Sequence, residues 1–224
     1  TKSNKDQEAN RFFVEGEPRT ILIIEFAEDS EAQLNTKLKK TINDLKAKNL
    51  GYAFPIVRNN DVNKVWNLRK AGLGLLSNIP GDEKSVTVIE DTAVHVEQLP
   101  EYIAEIEKVF EDNNMTCVYH AHISTGELHL RPVLNLKKSE DIEKFKMIAK
   151  ETVAIVKKYR GSFSGEHGDG RLRGSFIKEF FGEHVYGLLK EMKHSFDPNN
   201  LFNPGKIIDC PPMDESLRYE PDQE

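Results

Sequence analysis

The sequence predicts an α+β fold: a mostly antiparallel sheet covered by helices, a ferredoxin-like plait, followed by a C-terminal helical part. Three observations predict it. Short β-rich runs alternate with longer segments whose apolar residues recur every three or four positions. Two of the runs, residues 115–123 and 128–136, flank Ser124-Thr125-Gly126 as the arms of a hairpin do. No G-x-G-x-x-G and no phosphate-loop pattern is present, so the chain carries no nucleotide fingerprint of its own.

The elements follow in order. Residues 21–26 (Ile-Leu-Ile-Ile-Glu-Phe) read as a buried strand, and 31–48 as a helix that closes at Asn49 and Gly51. Residues 52–57 form a second expected strand. The segment 62–76 returns to helical periodicity, with Val65, Trp66, Leu68 and Leu73 on the core side. Residues 85–90 make a third strand, and 96–112 a helix that buries Leu99, Ile103, Ile106 and Phe110. After the hairpin, 139–159 is the longest helix, capped by Ser139, with Ile142, Phe145, Ile148 and Val156 inward. Two shorter helices are expected at 175–181 and 185–195, then turns at Asp197-Pro198-Asn199-Asn200 and Asn203-Pro204-Gly205.

Composition excludes several classes of function. With 224 residues, 38% hydrophobic and 30% charged, the chain suits a soluble globular body with its own core. A formal net charge of −6 argues against nucleic-acid binding. No apolar run nears the roughly 20 residues that cross a bilayer, and residues 1–8 are too polar for a signal peptide. Cys117 and Cys210 form neither a disulfide framework nor a ligand pair, which favours a reducing, cytoplasmic setting and rules out an iron–sulfur cluster held by this chain.

The chemistry is concentrated in Ser164-Gly165-Glu166-His167-Gly168-Asp169-Gly170-Arg171 and in His122 and His129. On one uninterrupted strand the odd spacing of the two histidines would send them to opposite faces; across a turn they become neighbours. His120 shares the face of His122. Two imidazoles and the Glu166 carboxylate are the donor set of a zinc-type catalytic site with one open position, and manganese and iron tolerate the same donors. His167, beside that carboxylate, is placed to act as a base. The plainer alternatives are strand histidines that are merely hydrogen-bonded and a surface turn with a salt-bridged glutamate. Arg69 and Lys84, taken alone, read as solvated charges.

Together these pieces resemble the C-terminal domain of the FAD-linked oxidases, the family of D-lactate, glycolate and D-2-hydroxyglutarate dehydrogenases. The similarity runs through Val65-Trp66-Asn67-Leu68-Arg69-Lys70, Ile89-Glu90-Asp91-Thr92-Ala93-Val94, and the histidine pair followed by Leu130-Arg131-Pro132. It continues through residues 164–173, Phe196-Asp197-Pro198 and Asn203-Pro204-Gly205-Lys206. The ending, residues 206–219, is similar to large members that fuse this domain to an iron–sulfur module.

The resemblance implies a cap and substrate domain, with FAD held mainly by an N-terminal domain absent from this chain. Residues 1–136 would be a mainly sheet-forming cap, 137–210 a helical part with a flavin-facing turn, and 211–224 a tail. His122, His129 and Glu166 would bind a divalent metal and His167 would be the base. Arg69, Lys84 and Arg131 would bind a small anionic 2-hydroxy acid, and Asn203 would lie near the flavin. Alone, the chain would be inactive. It departs from the family at Ser124-Thr125-Gly126-Glu127, where relatives commonly carry a Gly-Asp-Gly-Asn-like turn, so that Glu127 either adds a ligand or disturbs the site. Arg131 stands where hydroxyglutarate-type relatives offer a neutral amide. Two other readings are a non-catalytic metal-binding or interaction module and a family member acting on a non-hydroxy-acid substrate.

Overall fold

The computed structural model describes residues 5–76 and 80–222, and the chain divides into two compact units, 1–78 and 79–224. The first unit is built on helices α1 (Glu31–Ala47) and α2 (Asp61–Leu76). Ser30 starts α1 by accepting the Gln33 N–H at 3.3 Å, and Asn49 and Gly51 end it with φ values of 54° and 86°. Val65 and Leu68 of α2 are buried as expected and Trp66 is half-buried, while the side chain of Leu73 lies outside the described residues.

Neither 21–26 nor 52–57 is a strand: neither has a ladder partner among the described residues. Ile21, Leu22, Ile24 and Ile56 are exposed. An apolar β-rich run signals a segment that suits a sheet, but a strand also needs a neighbour that the segment cannot supply.

The second unit holds the sheet. Its elements are β1 (Lys84–Ser85), β2 (Ile89–Ala93), helix α3 (Leu99–Asp112), β3 (Cys117–His122), β4 (Glu127–Leu134), and helices α4 (Ser139–Lys158) and α5 (Ile177–Phe196). Every pairing is antiparallel. β4 lies at the centre, with β3 along one side from Cys117↔Pro132 to His122↔Glu127. β2 lies along the other side from Ile89↔Leu130 to Ala93↔Glu127, and β1 continues that edge at Lys84↔Leu134 and Ser85↔Val133.

The strand expected at 85–90 is therefore two pieces, and Pro132 explains the break. Its carbonyl accepts the Val86 N–H at 2.8 Å, so its imide nitrogen faces the same edge and has no hydrogen to donate there. On the far side of β2, Ala93 and Ser162 form an isolated antiparallel bridge. The order Ser162–β2–β4–β3, with α3 and α4 as the two connecting helices, is that of the plait, its last strand reduced to one residue pair.

One face of this sheet makes the core. Ile89, Leu128, Leu130 and Leu134 join Tyr102, Ile106 and Phe110 of α3 and Phe145, Ile148, Val153 and Val156 of α4 in one cluster. Each such side chain contributes about 1.5–3 kcal/mol on burial. The Tyr102 hydroxyl, fully buried, donates to Thr92 Oγ1 at 2.8 Å.

One detail departs from expectation. Ser139 does not cap α4 but is its first residue; its N–H and hydroxyl both donate to Asp222, so the cap is supplied from the chain's other end. The C-terminal segment lies against the body, with Met213 and Leu217 on the core cluster and Asp214 3.1 Å from Lys146. The two helices expected at 175–181 and 185–195 are both present as α5, which breaks at Gly182 (φ 86°, ψ 166°). No helix among the described residues is long and apolar enough to cross a membrane.

Candidate metal and catalytic site

The polar face of the sheet is set by the hairpin register. Residues two apart on a strand share a face, so His120 and His122 of β3 stand with Glu127, His129 and Arg131 of β4. His120 is paired with His129 and His122 with Glu127, so His122 and His129 are diagonal neighbours rather than directly opposed. Their ring centroids are 5.2 Å apart. The turn that produces this register closes at Gly126 (φ 76°), where a Cβ would lie 1.8 Å from the Val94 carbonyl oxygen. Only glycine fits there.

The glycine-rich loop reaches this face from Ser162, beside β2. Asp91 anchors it. This residue sits in a β-bulge between Glu90 and Thr92, with φ 90° and no solvent exposure. Its carboxylate accepts the Glu166 N–H (2.8 Å), the His167 N–H (2.9 Å) and the Ser164 hydroxyl (2.8 Å), while its carbonyl accepts the Gly165 N–H (2.7 Å). Arg173 braces the loop by donating to the carbonyls of Gly168 and Glu90. A Cβ on Gly165 would lie 3.0 Å from Glu127 Oε1, which is why the loop can press this close to the sheet.

These constraints bring the side chains together. Glu166 Oε1 lies 3.4 Å from His129 Nε2, 3.4 Å from His167 Nε2 and 3.9 Å from His122 Nε2. The rings of His129 and His167 stack at 5.3 Å. On its other side, His167 Nδ1 is 3.6 Å from Glu90 Oε1 and 3.9 Å from Asp91 Oδ1. Glu90 Oε2 in turn meets Arg131 Nη2 at 2.5 Å.

Burial tunes the charges. Burial first, and then the neighbouring His122, holds His129 below the ordinary imidazole range, which favours the neutral ring a metal needs. Burial pushes Asp91 up, but the N–H groups of Glu166 and His167 and the Ser164 hydroxyl together hold it below the usual carboxylate range. Burial, then the adjacent Asp91 and Glu166, pushes Glu127 up to about 7.

A group of donors close enough together for one divalent metal is present, but it contains Asp91 and His167 and not the expected His122. Ligand atoms of Asp91, His129, Glu166 and His167 all lie within 4.8 Å of one another. Asp91 already accepts three hydrogen bonds, leaving the imidazoles and Glu166 as the open donors. Among the described residues, six buried side-chain polar atoms have no aligned hydrogen-bond partner, and Thr152 Oγ1 alone lies away from this region. The others are Glu90 Oε2, Glu127 Oε1, His129 Nδ1, Arg131 Nε and Arg173 Nε. Buried polar atoms are normally satisfied; Glu90 Oε2 keeps its ion pair with Arg131, and Glu127 Oε1 and His129 Nδ1 are acceptors left without a hydrogen bond beside the loop.

The structure thus brings together His122, His129, Glu166 and His167, with Arg131 joined to His167 through Glu90. Lys84 and Asn203 have their contacts elsewhere. Lys84 donates to the Gly81 carbonyl at 2.6 Å, and Asn203 sits in an exposed turn, accepting from Lys206 at 2.8 Å. Arg69 belongs to the first unit, its guanidinium 5.9 Å from the Trp66 ring centroid. Glu90, Asp91 and Arg173 were not expected as site residues. The available signal was two adjacent acids inside a β-rich run, where burial of charge needs a reason.

Residues 3–207 match the family model described as FAD linked oxidases, C-terminal domain. The chain is 36% identical over 197 residues to a protein of Pseudomonas putida named D-2-hydroxyglutarate dehydrogenase, covering 86% of this chain and 19% of that one. A protein of the same name from Escherichia coli is 35% identical over 198 residues, 85% of this chain and 19% of the relative. The mitochondrial D-lactate dehydrogenase [cytochrome] of Arabidopsis thaliana is 25% identical over 169 residues, 75% of this chain and 29% of the relative. The chain therefore spans about a fifth of the length of the two bacterial relatives. A match over most of the chain, with the polar face and the loop inside it, makes this chain a member of the C-terminal domain family of the FAD-linked oxidases.

Proposed function

We propose that this chain is the substrate-binding and cap portion of an FAD-dependent dehydrogenase that oxidises a D-2-hydroxy acid to the 2-oxo acid. The observation that carries the proposal is the single Glu166 oxygen approached by three imidazole nitrogens, at 3.4, 3.4 and 3.9 Å. The names of the relatives, D-2-hydroxyglutarate and D-lactate dehydrogenase, share a substrate with a hydroxyl next to a carboxylate. In this reading residues 1–136 form the cap, 137–210 the helical part with the flavin-facing turn at Asn203, and 211–224 a tail.

His122, His129 and Glu166 hold the divalent metal; two nitrogens and one oxygen suit zinc first, then manganese or iron. When bound, the ion would supply positive charge that makes the α-hydroxyl more acidic, and FAD, carried mainly by another domain, would supply the hydride acceptor. His167 takes the hydroxyl proton at Nε2, the ring nitrogen turned towards Glu166. The α-carbon gives up its hydrogen with the electron pair, leaving the 2-oxo acid. Arg69, Lys84 and Arg131 attract and orient the anionic substrate. Electrons leave through an iron–sulfur module elsewhere in the same protein, and the enzyme works in the cytoplasm.

The test is the metal content of the purified chain by elemental mass spectrometry, beside a His122→Ala/His129→Ala variant. About one ion per chain in the parent, lost in the variant, is the expected result. A folded parent that takes up neither zinc, manganese nor iron overturns the ligand set. A panel of acids with the intact protein then tests the substrate class: turnover should require a free carboxylate beside a hydroxyl.

A further inference from the structure

We infer that Glu90 is a positioning residue for His167, its carboxylate fixed by Arg131 on one oxygen and turned to the imidazole on the other. The inference rests on the reading of His167 as the base.

Glu90 is held at every point that matters. Its backbone is in register opposite His129, one residue before the bulge, and its carbonyl is gripped by Arg173. Its side chain is only 12% exposed, and that of Arg131 10%. With Oε2 held at 2.5 Å from Arg131, Oε1 is left facing His167 Nδ1 at 3.6 Å. That separation is longer than a hydrogen bond, and a closure of a few tenths of an ångström makes it one.

Asp91 is the rival partner for Nδ1, but its facing oxygen Oδ1 is farther off, at 3.9 Å, and already accepts the Glu166 N–H. The imidazole is therefore addressed by different carboxylates on its two nitrogens: Glu90 at Nδ1, Glu166 at Nε2. A base needs its reactive nitrogen bare and its other nitrogen protonated and oriented. A nearly buried carboxylate behind Nδ1 fixes the ring's orientation and leaves Nε2 as the bare nitrogen. Arg131 acquires a role distinct from direct contact with substrate: it holds Glu90 in place.

Two measurements test this. In the full-length protein, Glu90→Gln should lower kcat about 10–100-fold, as loss of an orienting partner commonly does, with KM and metal content within about twofold of the parent. In the unaltered chain labelled with 15N-histidine, long-range proton–nitrogen correlations at a pH where the ring is neutral should place the His167 proton on Nδ1. An unchanged kcat in a folded Glu90→Gln protein overturns the inference, and so does a proton resident on Nε2. The second measurement needs no variant, so it decides even if Glu90→Gln folds poorly. His167→Ala separates the two levels. Near-normal turnover there removes the base itself, whereas lost turnover there with a normal Glu90→Gln enzyme removes only the role of Glu90.

Discussion

Leu128, Leu130 and Leu134 leave β4 on one side with 5%, 0% and 2% exposure; Glu127, His129 and Arg131 leave it on the other, each at 8%. The two faces are buried almost equally and by opposite means. The leucines meet the apolar sides of α3 and α4, where burial is favourable in itself. The charged set is covered by the 164–173 loop and by neighbours from β2, and it keeps unaligned polar atoms on Glu127, His129 and Arg131. Burial on that side is a cost that the rest of the fold offsets. The difference teaches where the molecule places stability and where it places chemistry, with one strand as the divide.

The comparison can be broken from either side. The largest effect belongs to the apolar face. Leu130→Ala removes a side chain with no exposure and should destabilise the chain by about 2–5 kcal/mol in denaturant titration. The metal stoichiometry of the molecules that remain folded should be unchanged. Loss of metal from the folded fraction would mean that the two faces are not separable.

Asp91→Asn acts at the seam between sheet and loop. It keeps the shape but removes the charge that receives two N–H groups and a hydroxyl, and should cost about 1.5–3 kcal/mol. Here metal uptake should fall with stability, and amide exchange at residues 164–168 should quicken before that of the core. An exchange pattern that loosens α3 and α4 first would contradict the anchoring role.

The smallest effect sharpens the comparison through its sign. Glu127 has its folded pKa raised to about 7, so the folded metal-free chain holds a proton that the unfolded chain releases from about 4.3. Stability should therefore decline as pH rises from that value through about 7. His129, held low, acts oppositely: its contribution is present above the unfolded value near 6.5 and fades as pH falls towards the lower folded one. In Glu127→Gln the decline between about 4.3 and 7 should flatten in a series of melting temperatures. A steeper decline would mean that the carboxyl is stabilised in its charged form.

Much of this was legible in the chain. Period alone located α3, α4 and the 115–136 hairpin, because amphipathic spacing is a local property. The residue types of His122, His129, Glu166 and His167, with the glycines around them, were enough to name the group that converges on the polar face. The failures are those of local signals. Residues 21–26 and 52–57 have strand composition but no strand beside them, and Ser139 looks like a cap while Asp222 does the capping.

By itself, then, the sequence determined the α+β elements, the hairpin and the side chains that converge beside it. Only the tertiary structure decided how they act: the bulge that turns Asp91 into an anchor, the diagonal placing of His122 and His129, and the chain from Arg131 through Glu90 to His167. The reason is distance along the polypeptide. The bonds between Asp91 and the loop join residues 73 to 76 positions apart, and no periodicity or propensity reports a contact of that range. It exists only once the core face of β4 has brought β2 and the end of α4 to the same edge.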